Sequence, residues 1–333
     1  MKPGNLSTKI GTLKKVVSNK LINKGIFSKE GGRQVFVLMY HGIDKVQDTT
    51  YNQRFFSQAN FEKQVVEFKK HFNMLTYSDW ATQNFSSTKP NALITFDDGY
   101  ANNYRYALPV LDKHNVHAMF FITGVDTLPV KVLWADALDI VCCHTPERTK
   151  VTVDKIEFQF SKGEFTNVEK GIALKKYIKS HKNPSYALKE ELISQLLGIY
   201  DFTKMPAMAD YWQLMTEEEI YKTSQSPNIT IGSHGFYHNN LGSISNDDAV
   251  REVMQSRKYL QGITGKEITS IAFPDGSYTE QLNDSLVKEG FAQQFLVEYH
   301  FADGGRRDFV RDRIGLYPFM GNHHEILYKI LHQ

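Results

Sequence analysis

Apolar positions along the chain follow two rhythms. Short, nearly continuous apolar runs read as buried strands: 34–40 (QVFVLMY), 91–96 (NALITF) and 117–123 (HAMFFIT). Between them, Phe61, Val65, Val66 and Phe68 fall at helical spacing within 57–70. A brief strand is predicted over 73–77, then a short helix opened by Ser78 or Asp79. Tyr106, Val110 and Leu111 predict a helix over 102–114, bent at Pro109. This alternation is that of βαβ units.

The rhythm changes after 125. Residues 134–143 read as a helix, and 150–160 alternates with period two, as a half-exposed strand or hairpin does. Lysine-rich amphipathic helices are predicted over 168–179 and 186–200. Residues from about 126 to 210 therefore read as an α+β region inserted into the main fold. The βα alternation then returns. Thr216 and Glu219 form a capping box opening a helix to about 223, and Ser245 and Asp248 open another through 260. Strands are predicted over 228–234, 268–273, 291–297 and 313–317, with helices over 278–289 and, capped by Asn322, over 323–331.

Residues 1–32 read as a basic lead-in, separate from a domain over 33–333. Lys2, Lys9, Lys14, Lys15, Lys20 and Lys24 punctuate a short amphipathic helix. Such a helix suits peripheral contact with an anionic membrane, or simple docking on the fold. No apolar run of about 7–15 residues marks a secretory signal, and none of about 20 marks a membrane span. The expected location is cytoplasmic.

Composition narrows the partners. Of 333 residues, 39 are Lys or Arg and 37 are Asp or Glu, a net charge of +2, so no global field attracts nucleic acid. A near-neutral chain suits an uncharged substrate. Charged residues at 23% argue against disorder. The two cysteines, Cys142 and Cys143, are adjacent, a poor geometry for a disulfide and too few for a cysteine zinc site.

Three motifs fall at strand ends, where α/β folds gather their chemistry. In "TFDDGY" (95–100), Gly99 permits a turn that brings Asp97 and Asp98 to one cleft. One carboxylate binds a cation while its neighbour accepts a proton; the same residues also serve as an ordinary helix N-cap. In "SHGFYHNN" (233–240), His234 and His238 are spaced to share one metal on a helical turn, although Gly235 and the Asn pair oppose a long helix. Asp98, His234 and His238 together make a three-ligand set suited to zinc, leaving a position open for water and substrate, with Asp97 as the neighbouring base. "IAFPDGSY" (271–278) ends a strand in a turn that can expose a backbone N–H, or act as a plain β-to-α turn.

With these residues in place, the chain resembles the polysaccharide deacetylases with a NodB-homology domain, carbohydrate esterase family 4. The resemblance covers about 34–125 and 211–318, through "VLMYHGI", "LITFDDGY", "IGSHGFYHNNL", "IAFPDGSY" and "RIGLY" in the family's order. It implies a distorted (β/α) barrel and metal-dependent removal of acetyl groups from N-acetylated sugars. Asp97 is then the base, Asp98, His234 and His238 the ligands, and the backbone N–H of Asp275 an oxyanion contact.

Two departures matter. Ala272 stands where many members carry an Arg that orients the catalytic carboxylate, and Arg313 is the expected substitute. The late His motif that supplies the general acid is absent, and His41, ending the first strand, is the expected replacement. The family's exopolysaccharide-processing branch has a similar "YH" there. His71, His114, His117, His144, His181, His300, His323 and His324 are read as structural or surface residues, and His332 as too near the C-terminus to act as the acid. Alternative readings are an O-acetyl esterase or small-amide hydrolase on the same metal centre, and a degenerate carbohydrate-binding module.

Overall fold

The structure is a computed structural model that describes residues 28–30, 33–183, 185–297 and 310–331. The predicted helix within 1–24, His300 and His332 lie outside these residues. The chain forms strands β1 (Ser28–Glu30), β2 (Arg33–Tyr40), β3 (Ile43–Asp44), β4 (Phe56–Ser57), β5 (Asn73–Met74), β6 (Asn91–Phe96) and β7 (Ala118–Ile122). It continues with β8 (Lys150–Val153), β9 (Ile156–Ser161), β10 (Glu164–Thr166), β11 (Ile229–Ser233), β12 (Ser270–Ala272), β13 (Gln293–Phe295), β14 (Val310–Arg311) and β15 (Ile314–Gly315).

Parallel ladders run in the order β2, β6, β7, β11, β12, β13, β14, and β15 returns to pair with β2. The sheet thus curls into a barrel whose ring of ladders is interrupted between β14 and β15. Those strands are consecutive in the chain and joined by Asp312 and Arg313. This is the distorted barrel that the family resemblance implies. Ordered pairing starts slightly earlier than residue 33, because β1 pairs antiparallel with the start of β2.

Strand alternation builds two apolar layers. Phe36, Leu38 and Tyr40 face the outer helices and pack with Phe61, Val65 and Phe68 of helix Gln58–His71. Val35, Val37, Leu93, Met119, Phe121, Ala272 and Phe295 fill the barrel interior, with Trp80 and Phe85 in the same cluster. The helix predicted over 102–114 carries an irregularity one step before the expected one. Residues Asn103–Ala107 form a π-helical turn, and Pro109 sits in the first turn of helix Leu108–His114. The wide turn lets Asn103 Nδ2 donate to the carbonyl of His41 at 2.7 Å, tying this helix to the end of β2.

The insertion has its own core. β8, β9 and β10 form an antiparallel meander whose turns, Asp154–Lys155 and Lys162–Gly163, have positive φ, as two-residue hairpins favour. Val151, Phe158 and Phe165 pack with Trp134, Leu192, Ile193 and Leu196, and the cluster reaches Phe55 and Tyr100 on the barrel side. The helix expected from 168 starts at Leu174 instead. Asn167 Oδ1 accepts from Lys170 N–H at 2.8 Å, a local turn that competes with helix formation. Cys142 and Cys143 form no disulfide.

Phe158 is fully buried at the centre of this second core. Phe158→Ala is expected to lower unfolding stability by about 3–5 kcal/mol, read from denaturant titration.

Candidate metal centre and active site

Each site motif follows a strand. Asp97 continues the ladder beyond β6 by donating its N–H to Tyr40 C=O at 3.0 Å, and His234 continues β11 by donating to Ile122 C=O at 3.0 Å. The chain then leaves the strands through strained turns. Asp98 has φ +75°, His238 +50° and Asp275 +53°, a left-handed region where Asp and His are better tolerated than bulkier residues. Gly99 follows at φ +80°, and a Cβ there would lie 2.9 Å from Ile122 Cγ2, so only glycine completes this turn without displacement. The 235–240 segment is a loop, not the helical turn considered from the spacing.

Asp98, His234 and His238 converge. Nε2 of His234 and Nε2 of His238 lie 3.3 and 3.2 Å from the same Asp98 oxygen, Oδ1. Their donor atoms fall within 4.8 Å of one another, so one ion can be shared. His234 Nδ1 lies 2.8 Å from Ala272 C=O, which accepts its proton and leaves Nε2 free to ligate. The other Asp98 oxygen accepts from Arg54 at 3.2 Å. Burial alone would raise the Asp98 pKa, but the two imidazoles and Arg54 outweigh it and hold the carboxyl well below the usual range. A buried carboxylate facing two imidazoles through one oxygen fits a divalent metal of the zinc type.

Asp97 stands beside this group, gripped from across the barrel. Arg313 donates to Oδ1 at 2.6 Å and to Oδ2 at 2.7 Å, and its Nε donates to Leu296 C=O at 3.1 Å. The Arg313 side chain is 0% exposed. Burial works to raise the Asp97 pKa; Arg313 and His234 overcome it and hold the group below the ordinary value, hence ionised. Ala272 faces the same interior with only a methyl group. The carboxylate is therefore held by an arginine arriving from the β14–β15 seam.

His41 lies near Arg54, Asp98, Asp97 and Arg313, close enough for their charges to bear on it. Burial and Arg54 push its pKa down to about 4, so it is neutral at pH 7. Its Nδ1 is buried without a hydrogen-bond partner among the described residues. Asp275 lies close to His238, and its carboxylate pairs with Lys179 from the insertion. All seven residues singled out from the sequence thus gather at one mouth of the barrel.

The structure adds residues the motifs did not reveal. Arg54 also donates to Tyr100 Oη at 2.8 Å and Asp136 at 2.9 Å, and Tyr100 donates to Asp136 at 2.7 Å. The loop bearing His238 is clamped from two sides. Lys189 Nζ, on insertion helix Ala187–Ile199, donates to the carbonyls of Tyr237 and His238 and to Asn239 Oδ1, each at 2.8 Å. Glu252, on helix Asn246–Thr264, accepts from Tyr237 N–H at 3.0 Å, Asn239 N–H at 3.3 Å and Asn239 Nδ2 at 2.7 Å. The loop's peptide groups thus lie between a buried cation and a buried anion. Both residues had a legible signal. Lys189 precedes Leu192, Ile193 and Leu196 on one helical stripe, and Glu252 shares a stripe with Ala249, Val253 and Ser256.

Comparison with known proteins bears on the family and the fold. A family model described as polysaccharide deacetylase matches residues 86–147 and 187–293, just over half of the chain. A 30.6 kDa uncharacterized protein from the fumA 3′ region of Geobacillus stearothermophilus is 36% identical over 108 residues, covering 30% of this chain and 40% of that protein. YxkH of Bacillus subtilis (strain 168) is 33% identical over 92 residues, covering 26% of this chain and 31% of that one. These alignments thus span less than half the length of either relative. Among solved structures, Streptococcus pyogenes deacetylase PplD in complex with acetate superposes with TM-score 0.54 at 16% identity, over 89% of this chain and 97% of that one. IcaB from Ammonifex degensii gives TM-score 0.53 at 14% identity, over 89% and 96%. Both share the fold. On the family match, the chain belongs to the polysaccharide deacetylase family.

Proposed function

We propose that the chain is a metal-dependent hydrolase that removes N-acetyl groups from an N-acetylated poly- or oligosaccharide and releases acetate. One observation carries this reading: an Asp-His-His set sits beside a second aspartate held ionised and oriented by a buried arginine. A structural metal site or a binding module needs no such base. PplD was solved with acetate, the product this reaction releases.

Asp98, His234 and His238 would hold the ion, with zinc the best match to the donor set. When bound, such an ion supplies Lewis acidity toward the acetyl oxygen and toward water. Asp97 takes the proton from the attacking water. Its oxygens retain lone pairs beyond those used by Arg313, so the fork orients the base without blocking it. The backbone N–H of Asp275 is the proposed contact for the developing oxyanion.

The amine leaving group needs a proton. His41 was expected to carry one from the start, but its imidazole, held near 4, is neutral at pH 7. Asp97, protonated after its first step, is the proposed donor, with His41 as a polar wall beside it. The near-neutral net charge suits an uncharged acetylated sugar.

Three variants test the assignments, each read by acetate release and bound metal. Asp97→Asn is expected to retain metal and lose about 10²–10⁴-fold in kcat; normal turnover rules it out as base. Arg313→Ala is expected to lower kcat while sparing metal content, and Arg313→Lys to restore little, because an ammonium lacks the planar fork. Unchanged activity in Arg313→Ala sinks its positioning role. Lys189→Met leaves two loop carbonyls without their cation, and metal affinity is expected to fall about 10–100-fold. Wild-type affinity in that variant removes the clamp from the account.

A further inference from the structure

A second group of metal-ligating side chains lies away from the barrel mouth. Glu67 and His71 are one turn apart on helix Gln58–His71, with His71 Nε2 at 3.7 Å from Glu67 Oε2. His323 and His324 open helix His323–Leu331, which packs on the first through Phe68, Ile326, Leu327 and Ile330. Ligand atoms of Glu67, His323 and His324 all lie within 4.8 Å of one another. The group shares no residue with Asp98, His234 and His238. It also lies toward the other end of β6: the carbonyl of Lys70 accepts from Lys89, just before that strand, whereas Asp98 follows it.

The residues are held in place by the fold. Asn322 Oδ1 accepts from His324 N–H at 3.0 Å and Glu325 N–H at 3.1 Å, which sets the backbone beneath the two histidines. Their rings lie side by side, with centroids 4.1 Å apart. Cation neighbours are present: Lys70 donates to the other Glu67 oxygen at 2.7 Å, and Lys63 bears on His323. Lys70 is 60% exposed and free to swing into water.

We propose that Glu67, His323 and His324 form a second, structural site for a borderline divalent cation such as zinc, which ties the last helix to helix Gln58–His71. Two imidazoles and one carboxylate are donors that zinc, nickel or cobalt prefers over calcium or magnesium. The last helix follows β15 and Arg313 after one short 3-10 turn, Pro318–Met320, so a metal tie there steadies the segment that closes the barrel.

The full chain is dialysed to equilibrium against zinc and the metal counted per chain. Wild type is expected to bind two equivalents, His323→Ala/His324→Ala one, and Asp98→Asn/His234→Ala one. Zinc is expected to raise the Tm of Asp98→Asn/His234→Ala, and to leave the Tm of the fourfold variant unchanged. Glu67→Gln, which keeps size and shape, is expected to weaken the second equivalent alone. Two equivalents in His323→Ala/His324→Ala, or none in Asp98→Asn/His234→Ala, overturns the proposal. The catalytic reading fails separately, by loss of acetate release with this second site intact.

Discussion

The Arg313–Asp97 fork is the contact on which the rest of the molecule depends. Removing a guanidinium and a carboxylate from water costs several kcal/mol per ion, and only near-ideal geometry offsets it. Here the two terminal guanidinium nitrogens meet one carboxylate oxygen each, Nε meets Leu296 C=O, and the cation lies over the Phe121 ring with its centroid 5.6 Å away. The same contact spans the place where the strand ladders are interrupted. One interaction therefore joins the barrel's last strands to its second parallel strand and sets the angle of the proposed base. Breaking such a pair from one side typically costs about 3–5 kcal/mol, because it leaves a buried charge alone.

Around this fork, the chain places its polar groups by leaving regular structure at chosen points. Left-handed turns at Asp98, His238 and Asp275 bring side chains inward that a continuing strand would point elsewhere. Such turns need support, and the insertion contributes it. Lys189 and Lys179 reach from its helices to the His238 loop and to Asp275. The region read as an interruption of the βα rhythm is thus a wall of the site. Its core meets the barrel through Phe55 and Tyr100, next to the Arg54–Asp136 network.

Much of this was legible beforehand, for physical reasons. Buried parallel strands must be apolar runs, so β2, β6 and β7 announce themselves, and chemistry after their ends follows. Short strands such as β12, β13 and β15 are shorter than the apolar runs that contain them, since an apolar run does not reveal where pairing stops. β14 and the contact of Asp97 with Arg313 depend on how the barrel closes, which no local pattern encodes. Arg54 sits in an irregular loop with no periodicity to mark it. Lys189 and Glu252 did interrupt apolar stripes, the signature of a buried charge with a partner, but the partner is a loop far along the chain. His41 lies at the mouth because it follows the first strand, but its protonation state is set by burial and Arg54, neither visible from its sequence neighbours.

The proposed function makes these groups one hydrolytic site for an N-acetylated glycan. Zinc-loaded full chain is incubated with defined N-acetylglucosamine oligosaccharides, and acetate and free amine are measured together. The two are expected to appear in equal amounts, to stop on chelation and to resume when zinc is restored. Zinc-loaded protein that releases no acetate from N-acetylated oligosaccharides, while cleaving O-acetyl esters or nothing at all, overturns the proposed function.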